Sequence, residues 1–373
     1  MVWREGMAGW QPYGAKQTTV SVAPGGASGE GPARLIFTGK AGEYFKIWIV
    51  NLLLTVVTLG IYAAWAKVRT KRYFYGNTHL FGHAFEYLGN PVRILIGNLI
   101  VISLFVALNV AQLVSLAVWF GLFLLLMVAI PWFVVRALVF NARNSAWRGL
   151  KFRFDGRYWR AFCIFVLMPL AVPLTLGLAY PWLARVRRDW VVSRHACGIT
   201  SFSFSGMLGE FYKIYLAAFA CFLPLVLAYI ALIATVAMAE KSGQPPSPML
   251  GFLVLGIFPA LLLAYAGAIY LRVRLFNYSW NNTQIGPHTF RGHMEFWPFA
   301  GIQVSNAILT GVTFGLMYPW ARIRVAQYTA NSLEAIPGGS LDEFVASSQP
   351  EASAVGEAAS DIFDLDVGID FGL

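Results

Sequence analysis

Two pairs of acidic and basic side chains, each at the start of a long apolar segment, are the residues best suited to ion or proton chemistry. Glu43 and Lys46 lie in FTGKAGEYFKI, and Glu210 and Lys213 lie in the similar segment FSGMLGEFYKI. A spacing of three puts both side chains on one face of a helix, and the helix dipole favours an acid in the first turn. Such a glutamate could carry protons or bind a cation, whereas the lysine could anchor the helix by reaching lipid headgroups. The pattern predicts a candidate polar site at the membrane boundary and leaves its role open between these two.

Three clusters of tryptophan and cationic side chains follow the motif Thr-[Leu/Phe]-Gly. They are typical of a membrane interface, because tryptophan concentrates at headgroup level and Lys and Arg mark the cytoplasmic ends of membrane segments. The same side chains could instead hold anionic lipid headgroups in a specific pocket. The candidate anionic-lipid or interface clusters are Trp65, Lys67 and Arg69, then Trp182, Arg185 and Arg187, and finally Trp320, Arg322 and Arg324.

No residue pattern in the chain predicts an enzyme. The sequence lacks Gly-rich phosphate loops, G-x-S-x-G elbows and paired catalytic carboxylates, and none of its five histidines belongs to an H-E-x-x-H motif. The three cysteines, Cys163, Cys197 and Cys221, are too far apart for a C-x-x-C unit and are expected to be small buried side chains. We therefore expect no cofactor and no metal.

Composition and long apolar runs identify the surrounding solvent as a membrane. Of the 373 residues, 58% are hydrophobic and only 12% are charged, against roughly 25% charged in ordinary soluble domains. Residues 94–135 contain no charge, which is enough for about two spans at roughly 20 residues each. The net charge is +10, and the basic residues flank apolar segments instead of forming a separate domain. The lipid bilayer, with its anionic lipids, is therefore the expected partner, and nucleic acid is not.

Similar segments recur along the chain, which predicts internal repeats. Three of them, TLGIYAAWAKVR, TLGLAYPWLARVR and TFGLMYPWARIR, each follow an apolar stretch, and we name each stretch with its turn an M unit (M1, M2 and M3). Two longer apolar stretches with room for two helices each separate the M units. The predicted membrane domain covers 34–336, between a disordered tail at 1–33 and an acidic tail at 337–373, with M units at 37–72, 154–194 and 290–328 and helix pairs at 93–140 and 207–276.

Short segments such as LKFRFDG and ITSFSFSG precede the apolar segments, and their period-two alternation predicts β-hairpins. Unpaired strand edges cannot face lipid, so we expect these hairpins on the cytoplasmic side. Both ends of every M unit are basic, which leaves two topologies open. Either the M units re-enter the membrane as broken helices, or each crosses once to give seven spans. The expected fold class is an all-α polytopic membrane protein with internal repeats and short cytoplasmic β-hairpins.

These motifs resemble the YjgN family of bacterial inner-membrane proteins, which is classified as a domain of unknown function. The resemblance is carried by Phe-x-Gly openings at Phe37 and Phe204, by Glu-Tyr-Phe-Lys at 43–46, and by the Trp-Ala-[Lys/Arg]-[Val/Ile]-Arg tails of M1 and M3. The tail of M2 reads Trp-Leu-Ala-Arg-Val-Arg and departs from this pattern by one extra residue. The family implies a multi-pass protein of the bacterial inner membrane and no particular activity.

Short apolar segments interrupted by Gly or Pro often mark the binding site of a transporter. We therefore expect a transporter or channel-like protein; the alternative is a non-transporting membrane scaffold or lipid-binding protein with a cytoplasmic docking surface. In the acidic tail, 337–356 resembles a flexible linker because it is poor in apolar residues. Residues 360–373 alternate acids with apolar side chains, which suits docking on a sheet edge or capture of a protein partner.

Overall fold

The computed structural model describes residues 31–242 and 249–348, and every element named below lies in these two ranges. Most helices are joined in antiparallel hairpins. In M2 the first helix is interrupted by a π turn and a 3-10 turn over Cys163–Leu170. The helices are α1 Ala41–Val57, α2 Ala63–Gly76, α3 Pro91–Val114, α4 Leu116–Arg143, α5 Tyr158–Phe162, α6 Ala171–Leu174, α7 Tyr180–Ser193, α8 Leu208–Ser242, α9 Met249–Asn281, α10 Phe296–Val312, α11 Tyr318–Asn331 and α12 Leu341–Ser348.

Eleven short strands form one antiparallel sheet in the order β1-β11-β10-β9-β8-β7-β6-β5-β4-β3-β2. Each lies just before or after a helical hairpin, where the alternating segments end at a glycine or a turn. The strands are β1 Ala33–Arg34, β2 Ile36–Phe37, β3 Thr78–Leu80, β4 His83–Tyr87, β5 Ser145–Trp147, β6 Leu150–Phe154, β7 His195–Cys197, β8 Thr200–Phe204, β9 Thr283–Ile285, β10 His288–Gly292 and β11 Leu333–Ile336.

The sheet closes on itself through residues 33–37. The first two of these residues pair with β11 and the last two pair with β3. Between them, the Leu35 amide donates to the Leu333 carbonyl at 3.0 Å. Closure leaves no row of unpaired backbone groups at an edge, so the sheet is a barrel with a lumen.

Every helical hairpin leaves the barrel at the end of one strand and returns to the next. M1 connects β2 to β3, the pair α3–α4 connects β4 to β5, M2 connects β6 to β7, the pair α8–α9 connects β8 to β9, and M3 connects β10 to β11. Neighbouring hairpins pack against each other, and α1 of M1 also packs against α11 of M3. The five hairpins therefore form a closed ring that stands on one rim of the barrel, and the β-hairpin turns form the other rim.

The all-α fold class predicted from the sequence is wrong. The strands do not end as separate hairpins, because β2, β4, β6, β8 and β10 each pair with a strand on the far side of a helical hairpin. Strands of two to five residues carry too little pattern to predict such partners. The pairing arises because each antiparallel helical hairpin returns its two ends to neighbouring positions.

The three M units share one turn geometry at Thr-[Leu/Phe]-Gly. Leu59, Leu176 and Phe314 have φ of 50°, 51° and 50°, and the glycine that follows each has φ between 88° and 93°. In M3 the Thr313 hydroxyl donates to the Leu309 carbonyl at 2.6 Å and accepts from the Met317 amide at 3.1 Å. One hydroxyl thus forms hydrogen bonds with a backbone carbonyl at the end of the first helix and a backbone amide at the start of the second. In lipid, where no water is available, these backbone groups need such partners within the protein.

Buried asparagine side chains join the two helices of M1 and M3. The Asn51 amide donates to the Ala66 carbonyl at 3.3 Å, and the Asn306 amide donates to the Ala321 carbonyl at the same distance. Hydrogen bonds of this kind hold helices together in lipid. M2 instead contains Pro169 and Pro173, which remove backbone donors, and its first half is broken into short pieces.

The helices of the long pairs are longer than those of the M units. Among the described residues, four helices are long and apolar enough to cross a membrane, namely α3, α4, α8 and α9. The first helix of M1 has 17 residues, or about 25 Å at 1.5 Å per residue, whereas α3 has 24 residues, or about 36 Å. Since both ends of an M unit join neighbouring strands of one sheet, a single crossing per M unit does not fit this architecture.

The densest core lies where the helices meet the barrel. Phe140, Phe211 and Phe299, near the barrel ends of their helices, are 0%, 1% and 0% exposed. Farther out, large apolar side chains face outward, and the turn residues Leu59 and Phe314 are 94% and 98% exposed. An apolar belt around a buried aromatic layer is the arrangement expected of a protein whose helices are solvated by lipid.

Candidate functional site

The predicted polar pairs lie on the outside of the helical ring. Lys213 Nζ is 2.6 Å from Glu210 Oε1, and these side chains are 75% and 39% exposed. Glu43 accepts a hydrogen bond from the Tyr73 hydroxyl at 3.3 Å, and Lys46 is exposed. The two pairs stand on different hairpins and are not brought together.

The three Trp and Arg clusters have separate surroundings. In M3, Arg324 donates to Ser305 and Asn306 at 2.8 and 3.2 Å and lies 4.4 Å from the Trp320 ring centre. Arg322 stacks on Phe74 at 5.4 Å. In M1, Trp65 packs against a buried cluster, Lys67 is half-buried and Arg69 is exposed.

The M2 cluster differs because one of its arginines faces the ring axis. Trp182 is half-buried, and Arg185 donates from Nε to the Gly206 carbonyl at 3.2 Å, which ties M2 to the neighbouring pair. Arg187 lies over the Phe165 ring at 5.1 Å and lines a large central cavity together with Arg188. The sequence grouped Arg187 with the interface anchors and did not distinguish Arg188.

The central cavity, which we name the axial cavity, has a volume of about 840 Å³. It is bounded by M1, by both long helix pairs and by M2, and it reaches down to the barrel. Its walls combine aromatic and aliphatic side chains with polar groups contributed by M1, M2 and both long helix pairs. The polar side chains that line it are Tyr75, Thr78, Asn141, Ser145, Tyr180, Arg187, Arg188, His195 and Tyr215.

The polar groups near the barrel are ordered by hydrogen bonds. Asn141 accepts from Lys71 Nζ at 2.8 Å, and the Ser145 hydroxyl donates to the Asn141 carbonyl at 2.8 Å. His195 donates from Nδ1 to the Val191 carbonyl at 2.7 Å. Burial lowers the pKa of His195, so this imidazole is neutral at neutral pH and the positive charge of the cavity wall comes from its arginines.

The barrel lumen lies next to the axial cavity and is apolar. Its cavity of about 160 Å³ is lined by aromatic and aliphatic side chains, among them Trp147, Phe202 and Phe290. Leu35, Phe85 and Phe152 line both the lumen and the axial cavity. The two spaces are therefore neighbours, and these three side chains lie between them.

The C-terminal helix α12 closes the lumen at the rim formed by the β-hairpin turns. Phe344 is 9% exposed and forms a buried cluster with Leu150, Cys197 and Ile285. The Ile199 amide donates to the Ser348 carbonyl at 3.0 Å.

Polar contacts at the same rim hold the ends of α12. The Thr200 and Ser348 hydroxyls are 2.7 Å apart, and Arg148 lies 2.6 Å from Asp342. The prediction of a flexible linker at 337–356 is wrong for 341–348, because Leu341, Phe344 and Ser348 give one buried face. The predicted docking segment at 360–373 and residues 1–30 of the N-terminal tail predicted at 1–33 lie outside the described residues, and Ala33 of that tail belongs to β1.

No group of three or more His, Cys, Asp or Glu side chains that could hold a metal ion occurs within the described ranges. All three cysteines are free, and burial raises the pKa of the Cys197 thiol in the lumen to about 12.

A ring of apolar helical hairpins on a closed sheet, with four helices long enough to cross a bilayer, defines a multi-pass membrane protein. The chain belongs to the family described as bacterial protein of unknown function (DUF898), whose model matches residues 32–362. It is 27% identical over 364 residues to the inner membrane protein YjgN of Salmonella typhimurium, covering 80% of this chain and 87% of that protein. It is 24% identical over 373 residues to the protein of the same name in Escherichia coli K12, covering 87% and 93%.

These relatives confirm the predicted family and the bacterial inner membrane as its location. No solved structure matches the chain.

Proposed function

We propose that this protein is a channel-like or transport protein whose pathway follows the axis of the helical ring and the barrel. The observation that carries the proposal is the wall shared by the axial cavity and the lumen at Leu35, Phe85 and Phe152. A space of about 840 Å³ lies beside the lumen of a closed barrel, and displacement of the side chains between them would give a solute a route that avoids lipid. A scaffold has no need of an internal space on its axis.

In this proposal α12 is the cytoplasmic closure of the pathway. Its apolar face fills the end of the lumen, while its polar contacts are weak. The Asp342 side chain in the ion pair with Arg148 is 82% exposed, and such pairs contribute about 0–1 kcal/mol. A short helix held by few buried side chains can leave the lumen without disrupting the barrel.

We also infer that the helical hairpins are repeats of one unit. The three Thr-[Leu/Phe]-Gly turns have the same backbone angles. A tyrosine on the second helix also contacts the start of the first in several hairpins. The hydroxyls of Tyr73, Tyr278 and Tyr328 accept from the backbone amides of Lys40, Met207 and Glu295 at 2.8, 2.6 and 3.0 Å. Repeated hairpins around an axis favour a pathway on that axis.

Flux through vesicles tests the transport proposal. The full chain, Phe344→Asp and Ala346→Asp would each be reconstituted in liposomes loaded either with a chloride-sensitive dye or with the self-quenching organic anion carboxyfluorescein. Phe344 is buried in the lumen and Ala346 is exposed on the same helix, so the second variant is a control for the added charge. We expect Phe344→Asp to increase solute flux at least about tenfold over Ala346→Asp, because an aspartate in the apolar lumen favours release of α12.

Equal flux in protein-free vesicles and in vesicles with either variant, for both solutes, would contradict transport and favour the alternative of a scaffold or lipid-binding protein. In that case the cationic clusters at Arg69, Arg322 and Arg324 become the surface to test for anionic lipids.

A further inference from the structure

The axial cavity carries a charge that the surrounding protein does not neutralise. Of its described lining residues, Arg187 and Arg188 are cationic, and none is an aspartate or glutamate. Isolated charges next to apolar walls are costly, so they are retained where an oppositely charged group binds. The net charge of the cavity lining therefore favours an anion.

The hydrogen-bonding state of the two arginines supports this assignment. The Nε atom of Arg187 is buried and has no hydrogen-bond partner in the part of the chain that the structure describes. Arg188 lines the same space, and its side chain is exposed there. By contrast, Arg185 donates from Nε to the Gly206 carbonyl, and Arg324 donates from one terminal nitrogen to Ser305 and Asn306. Of these four arginines, Arg187 and Arg188 are the two that line the axial cavity.

The other side chains that line the cavity indicate the polarity and size of the rest of the ligand. Phe74, Leu138, Phe165, Phe211 and Leu275 line the cavity and offer an apolar surface rather than a shell for a hydrated ion. A volume of about 840 Å³ is in the range of sites for small organic molecules, which is roughly 300–1,000 Å³.

We propose that the axial cavity binds an organic anion with an apolar body, whose acidic group is held by Arg187 and Arg188. Either an anionic lipid headgroup with part of its chain or a free amphiphilic acid has this chemistry. The inference names the substrate class of the proposed pathway and rests on that proposed function, but its test measures binding and not flux.

A matched pair of fluorescent probes tests this inference on the full chain in nanodiscs of phosphatidylcholine. The anionic probe is 1-anilinonaphthalene-8-sulfonate, and the neutral probe is N-phenyl-1-naphthylamine, which has the same rings without the sulfonate. The variants are Arg187→Gln with Arg188→Gln, Arg188→Gln alone, and Arg160→Gln as a control on M2 that does not line the cavity. The single variant at Arg188 keeps the test valid if the double variant does not fold.

We expect the double variant to weaken binding of the anionic probe by roughly 10–100-fold, the range for lost hydrogen bonds to charged groups. Arg188→Gln should cause a smaller loss, while Arg160→Gln should have no effect, and the neutral probe should change less than about threefold in every variant. Equal affinity of the anionic probe for the parent protein and both cavity variants would overturn the inference.

Nanodiscs containing phosphatidylglycerol distinguish the two sources of the anion. If the acidic lipid competes with the sulfonate probe in the parent protein but not in Arg188→Gln, the occupant is a lipid headgroup. If it competes in neither, the occupant is a free amphiphilic acid. Binding that depends on the two arginines, without flux, would support this inference and contradict transport. Flux without arginine-dependent binding would support transport and contradict this inference.

Discussion

A full-length protein with Phe344→Asp is expected to react with thiol reagents at Cys197 roughly 30-fold faster than the parent at pH 8, in a background with Cys163→Ala and Cys221→Ala. Burial in the lumen beside Phe344 raises the pKa of the Cys197 thiol from 9.0 to about 12. Release of α12 admits water and returns the pKa toward its ordinary value. The thiolate fraction then rises about 1,000-fold, and the lower nucleophilicity of the more acidic thiolate offsets part of this gain.

The pH dependence of this reaction gives an independent check. In the parent, the rate should keep rising about tenfold per pH unit through pH 8–10, since this range lies below the pKa of about 12. In Phe344→Asp the rate should level off above about pH 9, where the exposed thiol is ionised. Ala346→Asp, on the exposed face of α12, should behave like the parent. The same rate and pH profile in all three proteins would mean that α12 does not protect the lumen.

Cysteines at the tips of the M units are expected to be hidden from water on both sides of the membrane. Leu59→Cys, Leu176→Cys and Phe314→Cys would be made singly in a chain without its native cysteines. The M helices are about 10 Å shorter than α3 at 1.5 Å per residue, so their tips end inside the hydrocarbon. A thiol there is not ionised and should react with membrane-impermeant maleimide at least about 100-fold more slowly than an exposed thiol.

Ser115→Cys supplies the matched control, since Ser115 is exposed at the turn between α3 and α4, the far end of a spanning pair. It should be labelled readily from outside the cell. Labelling of any M tip from outside at the rate found for position 115 would contradict re-entry and indicate that the M units cross the membrane.

Much of the helical architecture was predictable from sequence because apolar length and charge placement determine it. The predicted pairs at 93–140 and 207–276 correspond to α3–α4 and α8–α9, and the turns fall at Thr58, Thr175 and Thr313. The closed sheet was not predictable, since the partner of each strand is set by how the helical hairpins pack. The sequence does contain a pattern that predicts the helix α12, because Leu341, Phe344 and Ser348 recur at helical spacing.

The axial cavity was largely missed for a physical reason. Sequence reasoning treated cations beside apolar segments as interface anchors, and this fits Arg69 and Arg322, which are exposed. Which cations face the axis depends on the orientation of each hairpin in the ring. One sequence difference could have pointed to M2. The residue after the Trp and Arg tail is Thr70 in M1 and Val325 in M3, but it is the cationic Arg188 in M2.

The most direct test of the axial pathway is to lock α12 in place with a reversible disulfide and measure flux in the same vesicles. The hydroxyls of Thr200 and Ser348 are 2.7 Å apart, so Thr200→Cys with Ser348→Cys in a background without native cysteines places two thiols close enough to join. We predict that oxidised vesicles match protein-free vesicles and that a reducing agent then starts flux. Equal flux before and after reduction, with the disulfide verified by mass spectrometry, would contradict closure of the pathway by α12.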